Sequence, residues 1–144
     1  MGEAVSRRRI LVVDDWPDCA DSLAALLDLM GYDTECAYGG QQAVEVARRF
    51  EPDTIIMDIN MPVMDGFQAA RLIRENLNDR QLVLVALTTT EGSARSERFA
   101  DFDAHLQKPY DYERLDDLLQ GDTHGNEVEA RRSFSYWARS RSGR

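Results

Sequence analysis

Along the chain, short stretches that are apolar throughout alternate with longer stretches whose apolar residues recur every three or four positions. That alternation is the mark of repeated strand–helix units around a parallel sheet. Residues 10–13 (Ile-Leu-Val-Val) predict a buried strand. Pro17 suits a first helical turn, and a helix over 19–30 places Leu23, Leu26, Leu27 and Met30 on one side before Gly31 stops it. Residues 32–38 alternate as a second strand, and 40–50 are helical with Ala43, Val44, Ala47 and Phe50 inward. A third strand is predicted over 53–57 and a third helix over 65–76. Residues 82–87 are apolar at every position, as expected where both faces of a parallel sheet are covered. A short fourth helix over 93–102 (Ala94, Phe99 and Ala100 inward), a fifth strand over 104–107 and a fifth helix over 112–120 (Leu115, Leu118 and Leu119) complete the pattern.

Five such units in about 120 residues make a three-layer α/β domain. The expected organisation is an N-terminal lead over 1–8, the domain over 9–120 and a tail over 121–144. A 43% hydrophobic, 30% charged composition is that of a globular chain. The net charge of −9 argues against nucleic acid as the partner of the folded part. The tail departs from this, with five arginines against Asp122, Glu127 and Glu129. Its Phe134, Tyr136 and Trp137 are compatible with a solvated extension, a docking helix, or a basic-aromatic binding segment. Cys19 and Cys36 form no disulfide framework; both are expected as small buried hydrophobes, which fits a reducing cytoplasm. The longest apolar run is about six residues, far short of the roughly 20 that cross a bilayer, and residues 1–9 are polar and basic without the apolar stretch of a secretory leader, so neither secretion nor a membrane role is expected.

Four polar features each end an apolar run: Asp14-Asp15, Asp58, Thr88 and Lys108-Pro109. Open α/β sheets place their chemistry in the crevice at the carboxyl ends of their strands. Adjacent carboxylates are costly to hold together without a cation, and a hard divalent ion such as Mg²⁺ takes oxygen ligands and pairs with phosphate. Asp58 can be a metal ligand, a nucleophile forming an acyl phosphate, or both. Thr88 can donate to a phosphoryl oxygen and Lys108 can place a point charge on another. Pro109 can fix the chain there through a cis bond. The plain alternative is that Asp15 caps the helix near Pro17 and Asp14 is solvated. The turn over 61–66 after Asp58 brings a backbone carbonyl, that of Asn60, towards any metal bound at Asp58.

Lined up in this order, the stretches Ile10-Leu-Val-Val-Asp-Asp15, Asp53-Thr-Ile-Ile-Met-Asp-Ile-Asn-Met-Pro62, Met64-Asp65-Gly66, Leu84-Val-Ala-Leu-Thr88 and His105-Leu-Gln-Lys-Pro109 resemble the receiver domain of two-component response regulators. The resemblance implies a flavodoxin-like (βα)5 fold with strand order 2-1-3-4-5 and helices on both faces. It implies phosphoryl transfer onto Asp58 from a histidine kinase or histidine phosphotransfer protein. Mg²⁺ would be held by Asp15, Asp58 and the Asn60 backbone carbonyl, with Asp14 assisting through water, while Thr88 and Lys108 read the phosphoryl group. Thr88 and the residue at 105 would move together, remodelling the face of the fourth helix, fifth strand and fifth helix. Such a protein is a signalling domain rather than an enzyme, assisting only its own phosphorylation and dephosphorylation.

Three positions depart from the family pattern. His105 stands where Tyr or Phe is usual and adds a titratable group. Thr89 follows Thr88 where Ala or Gly is usual and narrows access. Trp16 follows the acid pair where a polar residue is usual and is a candidate partner contact or lid. The tail is too short for a DNA-binding output domain, so no such output is expected; a homodimer is left open. Haloacid-dehalogenase-type phosphohydrolases use the same residue types, but with the nucleophile first, in Asp-x-Asp, and the acid pair last. The remaining alternative is a degenerate receiver that docks partners without being phosphorylated.

Overall fold

Residues along each central strand divide between two cores. Leu11 and Val13 of the first strand pack with Ile55, Met57, Leu84 and Ala86, whereas Ile10 and Val12 pack with Ile56, Val85 and Leu87 on the other side. Successive strand side chains point to opposite faces, so an unbroken apolar run can supply two cores at once. The computed structural model describes residues 8–77, 82–88 and 100–120. Its strands are β1 (Arg9–Val13), β2 (Asp33–Ala37), β3 (Thr54–Asp58), β4 (Val83–Thr88) and β5 (Ala104–Gln107). All pair in parallel, in the order β2-β1-β3-β4-β5.

The described helices are α1 (Pro17–Leu29), α2 (Gly40–Phe50), α3 (Gly66–Leu77) and α4 (Tyr112–Gln120), the last being the helix expected as the fifth. Ala20, Leu23 and Leu27 of α1 join Leu115 and Leu119 of α4 over one face. Ala43 and Ala47 of α2 join Ala69, Ala70 and Ile73 of α3 over the other. The expected three-layer order is therefore present. Most of the fourth helix expected over 93–102 lies outside the described residues, as do the lead over 1–7 and the tail over 121–144. Of its C-terminal end, Ala100 and Asp101 form a 3₁₀ turn with Ala100 exposed rather than inward. Phe102 follows the turn, fully buried and edge-on to Phe67.

Helix phase corrects several side-chain expectations. Cys19 is exposed and Cys36 only half-buried, so neither is the buried hydrophobe expected. In α1 the inward positions are Ala20, Leu23, Ala24 and Leu27, and Cys19 lies one residue, about 100° of turn, away from that stripe. Leu26 and Met30 pack at its margin. In α2 Val46 is buried, while Val44 and Phe50 are peripheral. The alanines decide this, because small residues let the helix backbone sit close to its neighbours.

The helix ends follow local chemistry. Tyr32 N–H bonds to the Leu27 carbonyl and Gly31 N–H to that of Asp28, with Gly31 at φ +101°, closing α1 in a Schellman motif. At the start of α3, Gln68 N–H donates to Asp65 Oδ1 (2.9 Å) and Asp65 N–H donates to Gln68 Oε1 (3.1 Å), a reciprocal capping box. Away from the strand ends, Arg8 donates to the Leu119 carbonyl and to Thr54 Oγ1, tying α4 to β3. Arg74 gathers the Asp101 and Leu82 carbonyls and the Asp103 carboxylate, tying α3 to the starts of β4 and β5.

Candidate functional site

Sheet register brings the polar strand ends together. Val13 lies beside Met57, and Asp58 beside Leu87, so Asp14, Asp58 and Thr88 leave three adjacent strands at one level. β3 runs one residue further than the apolar pattern predicts and includes Asp58; β4 likewise includes Thr88. Asp14 continues the ladder through its N–H to the Ala37 carbonyl, and Lys108 through its N–H to the Thr88 carbonyl. Asp14, Asp58 and Thr88 are the polar strand-end residues that the fold buries.

The side chains then converge. Oxygens of Asp14, Asp15 and Asp58 all lie within 4.8 Å of one another. Lys108 Nζ stands 3.5 Å from Asp14 Oδ2 and 3.9 Å from Asp58 Oδ2. Asp14 Oδ1 accepts the Trp16 N–H (3.0 Å) and Asp58 Oδ1 the Asn60 N–H (3.3 Å). The reading in which Asp15 caps α1 fails, since the cap residue is Trp16 and no side chain caps the helix. The Lys108–Pro109 peptide is cis. A groove of about 760 Å³ opens beside Asp14 and Lys108, walled by Cys19 and Leu23 of α1 and by Pro109 and Tyr110.

Three carboxylates share one ammonium here. Burial pushes the Asp58 carboxyl above its ordinary range; Lys108 and the Asn60 amide oppose that, and Asp14 and Asp15 reinforce it. This excess of negative charge on hard oxygen ligands is what a divalent cation would offset, so the donor set fits Mg²⁺. Lys108 is also the single lysine in a chain whose 17 Lys and Arg residues are otherwise all arginine. That asymmetry is a sequence signal the motif reading did not use. A guanidinium fork is bulkier and planar, whereas an ammonium is a compact point charge.

Two further features escaped the sequence. A Cβ on Gly66 would lie 2.6 Å from the Asp58 carbonyl oxygen, so the start of α3 is pressed against the end of β3. Val63, in the loop between them, has φ +68°, and Met64 N–H bonds back to the Pro62 carbonyl at 2.7 Å across it. That is a γ-turn with positive φ at its centre, a rare and strained form. His105 is half-buried on β5, beside Ala86 of β4; burial lowers its imidazole pKa, as does Arg114. Trp16 is 64% exposed. Thr89 lies outside the described residues.

Comparisons with known proteins agree with the fold. The family described as response regulator receiver domain matches residues 10–120. The chain is 36% identical over 124 residues to the signal transduction histidine-protein kinase BarA of Shigella flexneri, covering 85% of this chain and 14% of the kinase. Among solved structures it is similar to the chemotaxis protein CheY4 of Vibrio cholerae, with a TM-score of 0.76 and 29% identity over 82% of this chain and 100% of that one. It is also similar to the receiver domain of the sensor histidine kinase PA1611 of Pseudomonas aeruginosa, which has a magnesium ion coordinated in its active site cleft. There the TM-score is 0.67 and the identity 30%, over 90% of this chain and 99% of that one. The chain spans 14% of the length of the BarA kinase and 47% of the length of the response regulator MprA of Mycobacterium leprae, another relative it matches. Among the described residues no helix is long and apolar enough to cross a membrane.

Proposed function

The chain belongs to the response regulator receiver domain family, and from that premise we propose that Asp58 accepts a phosphoryl group from a phosphohistidine on a histidine kinase or histidine phosphotransfer protein. The observation that carries this reading is the convergence of Asp14, Asp15 and Asp58 on one another and of Lys108 Nζ on two of them. In the transfer, an Asp58 carboxylate oxygen bonds to phosphorus as the bond from phosphorus to the imidazole nitrogen breaks. The electron pair of that bond stays on the nitrogen, which takes up a proton, and the product is an acyl phosphate.

The chain's own groups divide the work. Lys108, already between Asp14 and Asp58, offsets part of the roughly −1.5 to −2 charge that a phosphoryl group adds. Thr88, at the end of the neighbouring strand, donates its hydroxyl to a phosphoryl oxygen. The Asn60 N–H holds one Asp58 oxygen, leaving the other towards Lys108. Mg²⁺ would be held by Asp15, Asp58 and the Asn60 backbone carbonyl, with Asp14 through water, and would supply neutralisation of the phosphoryl oxygens. The output is a change of protein-binding surface through Thr88 and His105, in a cytoplasmic signalling protein that turns over no substrate of its own.

Incubation with acetyl phosphate and Mg²⁺, read by intact mass, tests the reading. The chain should gain one phosphoryl group and Asp58→Asn none. No label on the unsubstituted chain would instead favour a receiver that docks partners without phosphorylation.

A further inference from the structure

The loop over residues 59–65 carries the Asn60 carbonyl, and its two ends are fixed. Ile59 N–H donates to the Leu87 carbonyl of β4 at 3.2 Å, and Gly66 N–H donates to the Ile59 carbonyl at 2.9 Å. Met61 is buried in the core that α2 and α3 cover. The crest of the loop meets the start of α2. A Cβ on Gly40 would lie 2.5 Å from the Met64 carbonyl oxygen, 2.9 Å from Met64 Cγ and 3.1 Å from Met64 Cβ. Cβ atoms do not come within 3.0 Å of such neighbours, so this approach exists only because position 40 is glycine. Gly39 is different: a Cβ there would meet nothing within 4 Å, and its φ of −178° is one that any residue adopts.

Gly40 forms a firm stop for that crest. Ala43 N–H bonds to the Gly39 carbonyl (2.9 Å) and Tyr38 N–H to Gln42 Oε1 (2.8 Å), so the chain is tied on both sides of it. Beyond Met64 there is equally little room. Asp65 is held by its reciprocal bonds with Gln68, and a Cβ on Gly66 would meet the Asp58 carbonyl oxygen and Ile59 Cα. A displacement of Met64 is therefore passed back towards Asn60. Val63, at φ +68°, holds a strained conformation that persists only where its surroundings over-determine it. Pro62 has a φ fixed by its ring, and Met61 is packed in the core. The displacement collects at the Asn60 peptide.

Resting on the proposed hold of Mg²⁺ by Asp15, Asp58 and the Asn60 carbonyl, we propose that Gly40 is a positioning residue for the metal site. It touches neither the cation nor the phosphoryl group. Having no side chain, it lets Met64 close on α2, and that closure keeps the Asn60 carbonyl turned towards the acidic cluster. Groups that orient a ligand without touching the metal typically change affinity by about 10–100-fold when altered.

Thermal melts of the full chain, with Mg²⁺ titrated against NaCl of equal ionic strength, give an apparent Kd from the rise in Tm. Gly40→Ala should weaken Mg²⁺ about tenfold or more. Gly39→Ala replaces the N-cap glycine of α2, so it should lower Tm while leaving the Kd within about twofold. A glycine that served only the helix would move Tm in both variants and the Kd in neither. Met64→Ala, at a half-buried position, removes the side chain that closes on Gly40 and should also weaken Mg²⁺, by about threefold or more. It decides the matter if Gly40→Ala does not fold. A Kd within about twofold of the unsubstituted chain in both Gly40→Ala and Met64→Ala would overturn the proposal. So would an equal weakening by Gly39→Ala, which would make the start of α2 as a whole the determinant. If Mg²⁺ raises the Tm of the unsubstituted chain no further than NaCl does, the metal reading itself fails, and the role of Gly40 falls with it.

Discussion

Asp58 is ionised at neutral pH only at a cost to the fold. Burial raises its carboxyl pKa above the unfolded value, so the folded state holds that proton more tightly than the unfolded state does. Stability from this group is therefore greatest at acid pH and declines as pH rises through the raised value. Asp58→Asn removes the charge while keeping the shape. Without metal at pH 7 its Tm should exceed that of the unsubstituted chain by a few degrees, and the gain should fade towards pH 4; thermal melts across that range check it. His105 runs the opposite way. Its imidazole pKa is lowered from 6.5 by burial and by Arg114, so its contribution is complete above about pH 6.5 and is lost as pH falls below it. His105→Phe should flatten that acid-side loss in the same melts. For Lys108, a charge-stabilising donor, Lys108→Ala should slow acetyl phosphate labelling about 100-fold and, by leaving the buried carboxylates of Asp14 and Asp58 without their ammonium, lower Tm at pH 7.

At the scale of elements, the site depends on how closely α3 meets β3. Gly66→Ala would set a Cβ 2.6 Å from the Asp58 carbonyl oxygen and 2.9 Å from Ile59 Cα. Backbone sits at both points, so α3 must shift; the expected loss is about 1–3 kcal/mol by chemical denaturation, with slower labelling of Asp58. Ala69→Gly, three residues along the same helix, serves as a control that weakens α3 without this clash. The elements themselves were legible because their signals are local: the apolar run of residues 82–87, Gly31 after α1 and the Leu115–Leu119 spacing each follow from chain geometry. The polar strand ends were legible through their order along the chain. What was not legible depends on neighbours. The exposure of Cys19 turns on helix phase against the sheet, and the γ-turn at Val63 on a loop pinned between Gly40 and Gly66. No run of residue types states either one.

Across the whole molecule, two cores of opposite strand faces fix five strand ends at one edge, and that edge gathers the acidic cluster. The sheet thus holds together charges that repel, and a cation binding only the folded state should stabilise it by RT ln(1 + [L]/Kd), about 2.7 kcal/mol at one hundred times Kd. A chain of net charge −9 will also gather cations loosely, an effect that salt screens within about 10 Å at 0.1 M. The two contributions separate when Mg²⁺ is titrated against NaCl of equal ionic strength. Specific binding should raise Tm beyond the salt control and saturate. Asp15→Asn and Asp58→Asn should each lose most of that increment, because each removes a carboxylate of the cluster. Leu29→Ala, remote from the cluster, should keep it. An increment that all four proteins share, or none beyond the salt control, would mean that Lys108 alone balances the carboxylates and that the cluster is not a metal site.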